Sequence, residues 1–285
     1  MISDVSFMNN IDYSMINFKL IIWILSGLAL LYIIYPLFSI STFVEPSTLL
    51  TSLTRPEVID TFVLSLITAS ISTMLIGLFG VPLAYCLSRY KFQGSFLIQI
   101  VVIIPLVLPP LASGALLLGV FNPNSELGKT FPEIEFTQSV IGIIIAQTYV
   151  ASPFMILASM VAFDMVDKSY ENIARVLGKK NWHVFIRISL PLAKKGILIG
   201  FMMTWIRAIG ELGATLMLAY NPHTISIQIY EDNAIGGLSQ AIPSIILSIF
   251  LSVILILAYS LIVKKLEGSS IHQSMFSFGV SGGNK

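Results

Sequence analysis

Charge is what this chain has least of. Asp, Glu, Lys and Arg make up 11% of its 285 residues, against roughly a quarter in soluble domains, while the apolar set AVILMFWYC reaches 55%. So few charges cannot build the polar surface of a soluble domain, and the mean hydropathy of +0.87 points the same way. There is one cysteine, Cys86, so neither a disulfide framework nor a thiolate metal site is available. Histidine is scarce too: the three, His183, His223 and His272, fall in connections or tails, which removes a Ser and His protease constellation from the membrane interior. A net charge of +1 gives no hint of a nucleic-acid partner. Gly128-Lys129-Thr130 looks like the end of a phosphate-binding loop, but the earlier glycine it needs is replaced by Pro123, so it reads as an ordinary turn. No cofactor is expected in this chain, and any ATP must be bound by another.

What is present is a series of apolar runs. Six are long enough to span about 30 Å of hydrocarbon at about 1.5 Å per residue. They lie near 19–43, 58–86, 96–120, 140–163, 193–219 and 241–263. The expected fold is all-α: one transmembrane domain over 1–285, with six helices and a folded cytoplasmic connection at 164–192. The first run is kept as an anchor, because the residues before it carry Asp4 and Asp12 but no Lys or Arg. Thirteen of the sixteen Lys and Arg fall at the N-terminal flank, the 2/3 loop, the 4/5 connection and the C-terminal tail, which the positive-inside rule assigns to the cytoplasm. Arg55 and Lys129 lie on the other side, and Arg207 lies in the membrane. Prolines Pro105, Pro109 and Pro110 are expected to break or kink the third span. The ends, 1–12 and the Ser- and Gly-rich 268–285, are expected to be disordered.

The connection between spans four and five, DMVDKSYENIARVLGKKNWHVFIRISLPLAKK, is too long to remain structureless. From Ser169 to Leu177, the apolar residues Tyr170, Ile173, Ala174, Val176 and Leu177 fall largely on one helical face, with Glu171 and Arg175 at i and i+4 on the other. Asp167 or Ser169 can cap the start, and Gly178 suits the end. A second short helix can begin at Asn181, and Pro191 fits the first turn of the fifth span. The apolar face needs a cover. A net charge of +4 over the connection admits a lipid headgroup surface, and a protein partner is the alternative.

Glu171, Ala174 and Gly178, followed by Ile188-Ser189-Leu190-Pro191, resemble the E-A-A-x-x-x-G and I-x-L-P motif of ABC importer permeases. The match departs from it at Asn172 and Ile173. The resemblance implies that this helix is the coupling helix gripped by a separate ATPase, with Tyr170, Glu171, Ala174, Arg175, Leu177 and Gly178 at the junction. ATP and Mg would then belong to that partner.

In the fifth run, TWIRAIGELGATLM places Arg207 and Glu211 one helical turn apart among Ala208, Gly210, Gly213 and Ala214. A charge at the bilayer centre costs about 2.5–3.5 kcal/mol or more, so the pair must face protein or water. It reads either as an ion pair that fixes packing or as an element of a translocation path. R-A-I-G-E-L-G-A is similar to a signature of the molybdate, tungstate and sulfate permeases, and the whole likeness spans about 55–265 and is greatest to the molybdate/tungstate members. It implies a transport subunit, not an enzyme, that works with a second copy of itself, two ABC ATPase subunits and an external oxyanion-binding protein. The external loops hold Glu45, Glu57, Glu126, Glu133, Glu135, Glu231 and Asp232 against Arg55 and Lys129, so a freely diffusing oxyanion would be repelled and delivery by a docked protein is favoured. Two alternatives remain at this point: an ABC permease for sulfate or another solute, and a self-contained channel or ion-coupled transporter centred on Arg207 and Glu211.

Overall fold

The structure is a computed structural model describing residues 3–39 and 55–278, with side chains described from Phe18 to Ser39, from Arg55 to Leu257, and at Ser260 and Leu261. The chain forms two compact units, Met1–Ser52 and Leu53–Lys285. Among the described residues there is no strand.

Among the described residues, the first unit is one helix, α1 (Ser3–Ser39). Its stretch from Phe18 to Ser39 has a mean hydropathy of 2.3, and its large apolar side chains are exposed on every side. A helix that is apolar all round is suited to hydrocarbon. It matches the first expected span, except that residues 40–43 lie outside the described residues.

At the centre of the second unit, three helices pack together. These are α2 (Pro56–Arg89), α6 (Val140–Asp164) and α9 (Leu190–Ile209). Proline opens the first turn of α2, where its missing N–H costs nothing, and Ser139 caps α6 by accepting from the backbone N–H of Gly142. α6 packs along both α2 and α9. Thr68 and Ser72 repeat on one face of α2 and meet Gln147 of α6: Ser72 Oγ donates to Gln147 Oε1 at 3.0 Å, and Gln147 Nε2 donates to Thr68 Oγ1 at 3.2 Å. Such bonds between helices in an apolar interior are worth about 0.6–2 kcal/mol each. Further along α6, Gly200 lets α9 approach until an added Cβ would stand 3.1 Å from Ala158 Cβ.

The third run is broken at its prolines. α3 (Ser95–Val107) stops before Pro109, α4 (Pro110–Phe121) restarts with proline in its first turn, and the axis turns by 113° between them. The connection after α4 includes α5 (Glu126–Thr130), so Gly128-Lys129-Thr130 lies in a short helix capped by Ser125 and not in a bare turn.

The fifth run differs from the continuous span expected over 193–219. α9 ends at Ile209, Gly210 to Leu212 leave the helix, and α10 (Gly213–Leu218) begins a new one. The break follows from packing. Gly213 lies against the start of α4, where a Cβ would sit 2.6 Å from Pro110 Cβ, and Gly114 of α4 meets Ala214 in return. Two broken runs therefore interlock at their breaks.

α11 (Ile225–Gly236), capped by Thr224, packs on α12 (Leu238–Phe278). The backbone is helical at 3–12 and 268–278, where disorder was expected, because adding residues to an existing helix is far easier than starting one. Residues 1, 2 and 279–285 lie outside the described residues. Among the described residues, four stretches are long and apolar enough to cross a membrane, and the bent pair 95–107 and 110–130, if taken as one span, makes five. α9 has the length but carries Lys194, Lys195 and Arg207.

Candidate coupling site and interior ion pair

The connection after α6 folds as the local signals require. α7 (Lys168–Val176) starts at Asp167, whose carboxylate accepts from the backbone N–H of Ser169 at 2.8 Å. That bond, joined by one from the Ser169 side chain, holds the Asp167 carboxyl below its usual range. The helix ends with the N–H of Gly178 bonded to the Arg175 carbonyl at 2.9 Å and that of Lys179 to the Ala174 carbonyl at 3.0 Å. Gly178 has φ +79°, the left-handed geometry that this ending demands and that glycine adopts without steric cost. α8 (Asn181–Val184) follows, then one π-helical turn, Phe185–Ser189, that leads into α9.

Glu171 is the hub. It is 1% exposed. Its Oε1 receives Arg89 Nε at 2.7 Å and the Ser189 hydroxyl at 2.8 Å. Its Oε2 receives Arg175 Nη2 at 3.2 Å and lies 3.4 Å from the Tyr85 hydroxyl. Burial opposes ionisation of this carboxyl, but the hydrogen bonds from Arg89 and Ser189 and the charges of Arg89 and Arg175 outweigh it and hold it below the usual glutamate range. Arg89 also donates through Nη2 to the Val166 carbonyl at 2.9 Å, so it fastens the turn between α6 and α7 as well. Beneath this network, Tyr85 packs edge-on to Phe163 and tilted against Phe185, with ring centroids 5.2 and 4.8 Å apart.

The polarity of α7 is thereby reversed from that of an ordinary surface helix. Its carboxylate and Ala174 face the protein, whereas Tyr170, Ile173, Val176 and Leu177 are exposed. Tyr170, Glu171, Ala174, Arg175, Leu177 and Gly178, the residues singled out from sequence, do lie together, but in two sets. Glu171 and Ala174 anchor the helix from below, Arg175 braces Glu171 from its edge, and Tyr170 and Leu177 point outward. Arg89, Ser189 and Tyr85 complete the hub and were not legible beforehand. Arg89 reads only as one more basic residue at a span end.

Arg207 and Glu211 are also brought together. Arg207 Nη1 is 2.5 Å from Glu211 Oε2, with Glu211 buried and Arg207 partly exposed. Glu211 Oε1 accepts from the backbone N–H of Ala214 at 2.8 Å. One carboxylate thus neutralises the arginine at the end of α9 and satisfies a free N–H in the first turn of α10. Gly210 is exposed and Gly213 is packed on Pro110. In and before α11, Glu231 pairs with His223 at 2.9 Å, and Asp232 accepts from Gln228 at 2.8 Å, so neither of these acids stands unpaired. Glu45 lies outside the described residues. Among the described residues, no cluster of His, Cys, Asp and Glu is arranged to hold a metal ion.

Residues 76–268 match the family described as "Binding-protein-dependent transport system inner membrane component", and the chain belongs to that family of ABC permeases. It is 44% identical over 220 residues to a Haloferax volcanii protein named "Probable molybdenum ABC transporter permease protein", which covers 77% of this chain and 81% of that one. The molybdate/tungstate transport system permease protein WtpB of Thermococcus kodakarensis is 39% identical, over 74% of this chain and 82% of its own. The molybdenum transport system permease protein ModB of Escherichia coli K12 is 35% identical, over 72% and 93%. Among solved structures, a chain of a bacterial alginate ABC transporter in complex with an alginate-bound periplasmic protein superposes with a TM-score of 0.66 at 16% identity, covering 82% of this chain and 92% of that chain, which is likeness of fold.

Proposed function

We propose that this chain is the membrane subunit of an ATP-driven importer that carries molybdate or tungstate into the cell. It acts as a single permease domain that crosses the membrane six times with both termini cytoplasmic, as the distribution of Lys and Arg favours. Two copies form the path, two ABC ATPase subunits supply ATP hydrolysis with Mg from below, and an external binding protein delivers the oxyanion. The relatives named for molybdate and tungstate support the cargo.

The observation that carries the reading is the mounting of α7. A buried Glu171 fixes the helix from inside while Tyr170, Ile173, Val176 and Leu177 present apolar surface outward. Apolar side chains raised on a rigid base make a protein docking face, of the kind in which a helix lies in an apolar groove of its partner. The ATPase is that partner, and its motion is passed to α9 through the π-helical turn and to α6 through Val166.

The interior suits passage more than storage. Arg207 is the one basic residue of the fifth run's membrane portion, and Glu211 neutralises it, so no strong anion site competes with release. Selectivity among oxyanions then resides mainly in the external protein. The test is made on the whole transporter reconstituted with its ATPase and binding protein. Uptake of molybdate and tungstate, dependent on ATP and on the binding protein, is expected. Uptake of sulfate in preference to both would move the cargo to the sulfate alternative, and uptake without any ATPase would overturn the importer reading.

A further inference from the structure

We propose that Arg89, the last residue of α2, is a positioning residue that makes α2, α7 and the start of α9 move as one body. The proposal rests on the transport reading above and adds to it the route by which displacement of α7 reaches α2.

The first support is burial. The side chains of Arg89 and Glu171 are 3% and 1% exposed, although Arg89 is the last residue of α2 and the adjoining Tyr90 is exposed. Desolvating two charges is costly, and such a pair persists only when its bonding is nearly complete. Here it is. Arg89 Nε donates to Glu171, Nη2 donates to the Val166 carbonyl, and Nη1 lies 3.3 Å from Ser88 Oγ, which itself donates to Asp164.

The second support is connectivity. Glu171 lies 82 residues from Arg89 and 18 from Ser189 in sequence, so the cluster joins elements that the chain does not join locally. Arg89 ends α2, Val166 lies in the turn after α6, Glu171 is the inner residue of α7, and Ser189 closes the π-helical turn before α9. Without Arg89, α7 remains attached to its neighbours in sequence, through Val166 on one side and Ser189 on the other. The direct tie to α2 is then reduced to the longer contact of the Tyr85 hydroxyl, 3.4 Å from Glu171 Oε2.

The third support is the shape of the group. A guanidinium is a planar fork and can address a carboxylate and a carbonyl together, whereas an ammonium on a flexible stem is a point charge. Arg89 uses this geometry, with Nε on Glu171 and Nη2 on Val166. A purely electrostatic need to neutralise Glu171 is already met in part by Arg175 at 3.2 Å, and the fork of Arg89 does what Arg175 does not: it ties the carboxylate to another helix.

The test compares the complete transporter, with its ATPase and binding protein, in vesicles for wild type, Arg89→Gln and Arg89→Lys. The readout is molybdate taken up per ATP hydrolysed. Arg89→Gln is expected to lower that ratio by about tenfold with the ATPase subunits still bound, and Arg89→Lys to restore part of it. A role in structure alone would lower the yield of folded transporter and leave the ratio unchanged, and that result overturns the proposal. A second measurement needs no variant. In the wild-type assembly, ATP binding is expected to change amide exchange at 168–176, 82–89 and 190–197 in one step. A change confined to 168–176 overturns the proposal even if Arg89→Gln fails to fold. Failure of the wild-type chain to retain any ATPase would instead count against the transport reading itself.

Discussion

Glu211 holds Arg207 with one oxygen and the backbone N–H of Ala214 with the other, so a single buried carboxylate staples the end of α9 to the start of α10. The two contacts explain why a charged pair persists in an apolar run. Glu211→Ala removes a helix-start bond worth about 1 kcal/mol and leaves Arg207 unneutralised. Because Arg207 is partly exposed, the whole loss is expected to be about 2–3 kcal/mol, below that of a fully buried pair. It is measured as a lowered unfolding temperature of the detergent-purified protein, with Arg207→Ala less damaging because the bond to Ala214 survives.

The two glycines flanking Glu211 are expected to behave differently. A Cβ at Gly213 would collide with Pro110 Cβ at 2.6 Å and crowd Leu111 N at 3.0 Å, and both belong to the first turn of α4, which cannot easily yield. Gly213→Ala is expected to cost about 1–3 kcal/mol by overpacking. At Gly210 the nearest atom is the Ile206 carbonyl oxygen at 3.6 Å, which is ordinary contact, so Gly210→Ala is expected to stay within about 0.5 kcal/mol of wild type. Parallel thermal unfolding of the two variants checks this.

Gly178 is required for its backbone and not for space. No atom lies within 4 Å of an added Cβ, yet φ is +79°. Gly178→Ala is expected to cost about 1–2 kcal/mol locally through left-handed strain, seen as faster amide exchange across 168–179. Gly178→Asn is expected to retain most of the protection, because asparagine tolerates this conformation.

The pH response of α7 follows from Glu171. Its carboxyl is held below the reference value of 4.5, so the folded state binds its proton less readily than the unfolded chain. The stabilisation is therefore fully present above 4.5 and is lost as pH falls below that value through the lower folded-state pKa. Amide protection of 168–176 is expected to be flat from pH 8 to pH 5, apart from the intrinsic exchange rate, and to fall only under stronger acid. In Glu171→Gln the protection is lower throughout and this acid step is absent.

Some of this was legible in sequence for definite reasons. The limits of α7 are set by Asp167 and Gly178, which act within a turn of where they stand, and the break after α3 is written in Pro109 and Pro110. The hub was not legible, since Arg89 meets Glu171 only after α2 and α6 have packed and no local pattern pairs residues 82 positions apart. That Glu171 is the buried anchor of α7 was hidden for the same reason: helical periodicity separates Glu171 from the apolar set, which was expected to seek a cover of lipid or partner protein, but does not say how the rest of the protein will hold the other side. The end of α9 was hidden because Leu212 to Leu218 keeps the apolar composition of a span. The helix over 225–236 was hidden because Ile225-Ser226-Ile227-Gln228-Ile229 alternates with a period of two, the pattern of a strand. Thr224 was its readable signal, as a capping residue.

The claim on which function depends is that the outward face of α7 is covered by an ATPase. A photoactivatable residue placed at Ile173, which is 58% exposed and outside the Glu171 hub, reports what touches it in intact cells. The account predicts a crosslink to an ABC ATPase subunit, abolished when Leu177→Asp puts a charge into the same face. Crosslinks to lipid alone, unchanged by Leu177→Asp, would contradict it.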